Sequence, residues 1–131
     1  MNLPAIALFG EAEKGSFNEG IICDKVPELM DYFGNPPADS LGLHYAVQAL
    51  LYQYQLIFFR VMQEGFSKND YVHGINILAQ SPMIHSIHAI CTPGVGDPSI
   101  INILIPLCLE HHQILITNER DLYDYLTAEN F

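Results

Sequence analysis

The chain has 131 residues, enough for one domain with a real core and too few for two. Half of them are hydrophobic and 15% are charged, a balance that argues for globular folding and against disorder. The formal net charge of −10 argues against partners that need basic surface, so neither nucleic acid nor an anionic membrane is expected.

The apolar runs are short, and Pro106 interrupts the longest, Ile100 to Leu109. A bilayer crossing needs about 20 such residues, so no span is expected. Met1-Asn2-Leu3-Pro4 has no basic residue before its apolar run and no evident cleavage site. A signal peptide is therefore not expected, and the cytosol (a cytoplasmic protein) is the predicted compartment. Cys23, Cys91 and Cys108 form an odd, widely spaced set that fits neither a disulfide framework nor a CxxC pair, and they read as reduced thiols. Cys108, between Leu107 and Leu109, reads as core.

Taken in chain order, Ala5 to Phe9 is a continuous apolar run stopped by Gly10, the pattern of a strand covered on both faces. The loop from Gly10 to Ser16 has glycines at 10 and 15 but no lysine after the second, and no G-x-G-x-x-G. It is neither a Walker phosphate loop nor a dinucleotide fingerprint. Gly20 to Cys23 is a weaker run, either an edge strand or a buried loop. Residues 27–33 fit a short helix ended by Gly34, and Gly34 to Asp39 is a rigid connector.

Over residues 40–54, Leu43, Ala46, Val47, Leu50 and Tyr54 make one helical stripe, with Asp39 or Ser40 as its cap. Leu56 to Phe59 is the next strand run. Tyr71, Val72, Ile75, Leu78 and Ala79 pattern a helix over 68–80, with Ser67 and Asp70 spaced as a variant capping box. Ile84 to Cys91 is a third strand run, followed by a loop with Gly94 and Gly96. Asp97-Pro98 then opens a helix over about 98–111, an acid cap followed by proline at the first helical position. That helix is apolar nearly all round, so burial on most sides and a kink at Pro106 are expected. Gln113 to Thr117 is the last strand run, and a helix over 119–127 closes the chain.

Strands alternating with helices predict a single α/β domain over 1–131. The expected architecture is a three-layer αβα sandwich, Rossmann-like or flavodoxin-like, with a mainly parallel sheet of four to five strands. The strands near 5–9, 56–60, 86–91 and 113–117 should be parallel neighbours, with the first central.

Ligands of such sheets bind outside the carboxyl ends of the strands. Of the five basic residues, Lys14, Arg60, Lys68 and Arg120 fall in or just after the loops at that edge, and Lys25 does not. Cations kept there in an acidic chain would draw an anion. The candidate ligand-binding residues are Gly10, Glu11, Lys14, Arg60, Gly94 and Thr117, facing one cleft. Lys14 and Arg60 are read as exposed cations gripping an anionic small molecule such as a nucleotide. The plainer reading pairs each cation with a nearby acid, among them Glu11, Glu13, Glu64 and Asp121.

No catalytic set is complete. An enzyme reading uses Glu11 or Glu13 as general base with Lys14 or Arg60 holding the substrate. Cys91 ends a strand ahead of a helix N-terminus but has no evident base, so inert burial is its default. His85 and His88 are read as pointing to opposite strand faces, and His111-His112 as ending a helix, so no metal site is expected and no cofactor is implied. Seven Tyr and seven Phe exceed what one small core uses, with Tyr32, Phe33, Tyr52, Tyr54, Phe58, Phe59, Tyr123, Tyr125 and Phe131 among them. That excess predicts a homo-oligomer with an aromatic interface. The leading expectation is a self-associating binding or regulatory module, and a structural subunit of an assembly is the third.

Overall fold

The computed structural model describes residues 5–17 and 19–128 and centres them on β1 (Ala5–Gly10), all six residues of which are buried. The sheet has five strands in the order β2-β3-β1-β4-β5, with β2 at Gly20–Cys23, β3 at Gln55–Arg60, β4 at Ile87–Cys91 and β5 at Ile114–Ile116. β3, β1, β4 and β5 are parallel neighbours, as their continuous apolar runs predict. The weak run at Gly20–Cys23 is a true edge strand and pairs antiparallel with β3.

Five helices cover the two faces: α1 (Val26–Phe33), α2 (Gly42–Leu51), α3 (Lys68–Gln80), α4 (Pro98–His111) and α5 (Glu119–Thr127). Successive side chains of a strand point to opposite faces, so each strand feeds two cores. Ile6, Leu8, Leu56, Phe58, Cys91 and Ile116 pack with α1, α2 and α5. Ala7, Phe9, Ile57, Phe59 and Ile90 pack with α3 and α4. The result is a three-layer αβα sandwich with a mostly parallel sheet. No helix among the described residues is long and apolar enough to cross a membrane.

Three local expectations are corrected. The strand run beginning at Ile84 is shorter, because Pro82–Ser86 form a 3-10 turn in which Ser81 Oγ accepts the Met83 N–H. His85 therefore lies in that turn and not on a strand. Ala5 pairs with Ile87 and Ile6 with Ala89, so His88 is the extra residue of a bulge and stands in solvent. The α4 helix runs through Pro106, but it is not buried on most sides: Ile105 is 42% exposed and Leu109 72%. Only Ile100, Leu104, Leu107 and Cys108 of that helix are buried, since the layer has nothing outside it.

The aromatic excess is mostly consumed inside. Phe9 stacks on Phe59 and Tyr71 at centroid distances of 4.8 and 5.5 Å, in the core under α3. Phe33 meets Phe58 at 4.5 Å on the opposite face and also carries Tyr32 on its edge. Tyr52 and Tyr123 remain exposed, and Phe131 lies outside the described residues.

Candidate functional site

Parallel strands deliver their carboxyl ends to one edge, and here β1 is followed to one side by β3 and to the other by β4. The winding direction therefore switches between β1 and β4, where a doubly wound sheet opens its crevice. Gly10 ends β1 and is the register partner of Arg60, which ends β3. Thr92 N–H donates to the Ile116 carbonyl and Gly94 N–H to that of Thr117, so the loops after β4 and β5 are tied together. Gly10, Glu11, Lys14, Arg60, Gly94 and Thr117 thus all lie at this edge.

The centre of the edge is held by a residue outside that set. Glu64 accepts N–H bonds from Glu11 at 2.8 Å and Gly42 at 2.9 Å on Oε2, and from Leu41 at 2.8 Å on Oε1. Its own N–H donates back to Glu11 Oε2 at 2.9 Å. Three backbone donors converging on one carboxylate make an anion nest at the start of a helix, where the dipole also favours negative charge. Asp39 and Ser40 do not cap α2, as its first N–H groups are taken by an acid 22 residues downstream of Gly42. Only the folded chain brings Glu64 there, so no local motif signals it.

Gly10 serves this junction. A Cβ on it would stand 2.7 Å from the Gly42 Cα, so glycine at both positions lets α2 settle on the end of β1. The space above Gly10 is filled by the protein itself. By contrast, a Cβ on Gly94 or Gly96 would meet nothing within 4 Å, and the loop before α4 is open on that side.

Arg60 is not an exposed cation. Its guanidinium donates to the Gly15 carbonyl at 2.7 Å and the Ala12 carbonyl at 3.0 Å, and it lies over the Phe17 ring at 4.1 Å. It binds the first loop to the end of β3. Lys14, Lys68 and Arg120 are exposed. The two acids considered as general bases are also engaged: Glu11 accepts the Glu64 N–H, and Glu13 Oε1 accepts the Asn35 N–H at 3.1 Å.

The starts of α4 and α5 at this edge are likewise served from within the chain. Asp97 accepts from the Ser99 N–H at 2.9 Å and from its hydroxyl at 2.8 Å, the cap read from Asp97-Pro98. These bonds hold its carboxyl below the usual carboxylate range, with a smaller contribution from Lys68. Asn118 accepts the Asp121 N–H at the head of α5. Ser67 and Asp70 do not form a capping box, since Ser67 Oγ bonds the Gln63 backbone and Asp70 accepts the Met62 N–H.

Two buried nucleophile types stand close by. Burial, and then the Glu64 charge, push the Cys91 thiol far up, so it stays protonated. Burial likewise raises the Tyr71 hydroxyl, which accepts the Gly65 N–H at 2.7 Å. Thr92 Oγ1 is fully buried without a hydrogen-bond partner among the described residues. His85 and His111 meet edge to face at 5.9 Å at the opposite end of the sheet, and no group of three metal-ligating side chains occurs among the described residues.

No family model matches the chain, and neither a curated protein nor a solved structure matches it. Fold and site together define a small αβα domain whose switch-point edge is stapled by its own acids.

Proposed function

We propose that this domain is a homo-oligomeric binding or regulatory module of the cytoplasm, and that its ligand is an anionic small molecule such as a nucleotide. The observation that carries the reading is the nest formed by the Glu11, Leu41 and Gly42 N–H groups. Such a nest suits a phosphate or carboxylate of a ligand as well as it suits Glu64. A ligand anion replaces the Glu64 carboxylate, while exposed Lys14 and the open Gly94 loop border the edge. Arg60 acts indirectly, by fixing the loop that carries Lys14. The enzyme alternative is weaker, because Glu11 and Glu13 both accept backbone hydrogen bonds where a general base would need a free carboxylate.

Thermal-shift titration tests it. Nucleotide in excess should raise the melting temperature of the wild type by mass action. Glu64→Ala should in addition become responsive to phosphate and formate, which refill the vacated nest. If phosphate, formate and nucleotides leave both proteins unmoved, the reading is wrong.

A further inference from the structure

Sequence spacing argues against a metal site because His85 and His88 would point to opposite faces of one strand. The fold removes that premise. His85 lies in the 3-10 turn Pro82–Ser86, and its ring meets that of His111 in the last turn of α4. The ring centres are 5.9 Å apart and the planes stand at 71°. Two imidazoles on one zinc ion, with Zn–N of about 2.1 Å, have their centres about 5 Å apart at the tetrahedral angle and about 6 Å at wider ones. The pair already stands at that separation.

One buried residue fixes both supports. The Gln113 N–H donates to the Cys108 carbonyl at 2.8 Å, which holds the start of β5 to the end of α4. Its side-chain amide donates to the Ile84 carbonyl at 3.3 Å and the Ile87 carbonyl at 3.1 Å, on either side of His85 in the chain. The His111 side chain is only 17% exposed, so its ring has little room to turn away. Glu110 adds a carboxylate, with Oε2 3.9 Å from His111 Nε2, and the net charge of −10 favours a cation.

We propose that His85 and His111 are a chelating pair for a divalent transition-metal ion of the zinc and copper class, at the amino end of the sheet. Imidazole suits these ions, whereas Mg2+ and Ca2+ take oxygen donors. No group of three metal-ligating side chains occurs among the described residues, so water completes the coordination and the ion exchanges with solvent. The bound ion clips the turn ahead of β4 to the end of α4. It is independent of the anion nest, which lies at the carboxyl edge.

Calorimetric titration of the full chain with Zn2+ and with Cu2+ is the test, with Mg2+ as the oxygen-preferring control. The wild type should take up one transition-metal ion per chain and show no matching Mg2+ site. His85→Gln and His111→Gln should each weaken Zn2+ binding at least about tenfold, because even an outer partner of a metal-bound histidine is worth about 10–100-fold. His88→Gln combined with His112→Gln removes two exposed imidazoles and should leave binding unchanged. Melting temperatures of the metal-free variants check that each one folds. NMR of the wild type gives a reading without any variant: Zn2+ should move the imidazole signals of His85 and His111 and leave those of His44 and His73 in place. A wild type that takes up no Zn2+ overturns the site. So does binding that the His88 and His112 substitutions weaken as much as the other two, or a shift of all the histidines alike, either of which marks an adventitious surface ion only.

Discussion

The two helical layers are attached to the same sheet by different means. Beneath α3 and α4 the attachment is packing: Phe9, Phe59 and Tyr71 stack, and Ile100, Leu104 and Leu107 close over them. Beneath α1, α2 and α5 there is also a core, but α2 is pinned at its head by a carboxylate from the β3–α3 loop, and Arg60 pins the loop after β1. One layer is held by packing under its helices, and the other is in addition stapled at its carboxyl edge. The contrast implies that removing apolar volume and removing polar staples should damage different parts of the molecule.

The largest effect should come from the stacked core. Phe9→Ala should cost about 3–5 kcal/mol in urea unfolding, because the vacated ring volume lies between two other rings and cannot close. Next, Glu64→Ala should cost about 2–3 kcal/mol, as three N–H groups lose a charged acceptor and α2 loses its cap. Hydrogen exchange should then speed up in α2 before α3, and equal acceleration in the two helices would erase the distinction between the layers.

Arg60→Ala should follow at about 1–3 kcal/mol, with Lys14→Ala within about 0.5 kcal/mol of wild type. This reverses the expectation that Arg60 is a dispensable surface cation. Arg60→Lys should recover little, because one ammonium cannot reproduce the fork that reaches two carbonyls and covers a ring. Equal losses for Arg60→Ala and Lys14→Ala would show that the loop is held by other means.

Smaller effects concern pH. Burial pushes the Cys23 thiol from its ordinary 9.0 up to about 11, with help from Glu28 and Asp24, and it raises Cys91 further. A raised folded value means that this stability is complete below about pH 9 and declines as pH climbs toward 11. Both thiols belong to the core under α2, so neither should react with a thiol reagent at pH 8 until the protein is unfolded. Labelling of native protein at the rate seen in denaturant would contradict their burial.

The smallest effect is on the other layer. The Asp97 carboxyl is held below its usual 3.8, so its stabilisation persists above that pH and is lost as pH falls through the folded value. Asp97→Asn should flatten the acid limb of the stability curve slightly, and a limb identical to wild type would remove Asp97 from the account.

Much of the fold was legible because its causes are local. Continuous apolar runs identify strands buried on both faces, the 3.6-residue stripes within 40–54 and 68–80 identify helices, and Asp97-Pro98 marks a helix start that the structure bears out. Parallel pairing follows from the alternation of strands and helices, and the carboxyl edge follows from parallel pairing. Lys14, Arg60, Gly94 and Thr117 could be assigned to one edge without coordinates for that reason. What each residue does at the edge was decided only by the tertiary structure. Glu64 reaches Glu11 across 53 residues and Leu41 across 23, and Arg60 reaches Gly15 across 45, separations at which neighbouring residues carry no signal. The exposed outer side of α4, with Ile105 and Leu109, is of the same kind: apolar spacing all round a helix predicts burial on all sides, and only the layer order shows that one side is left facing out.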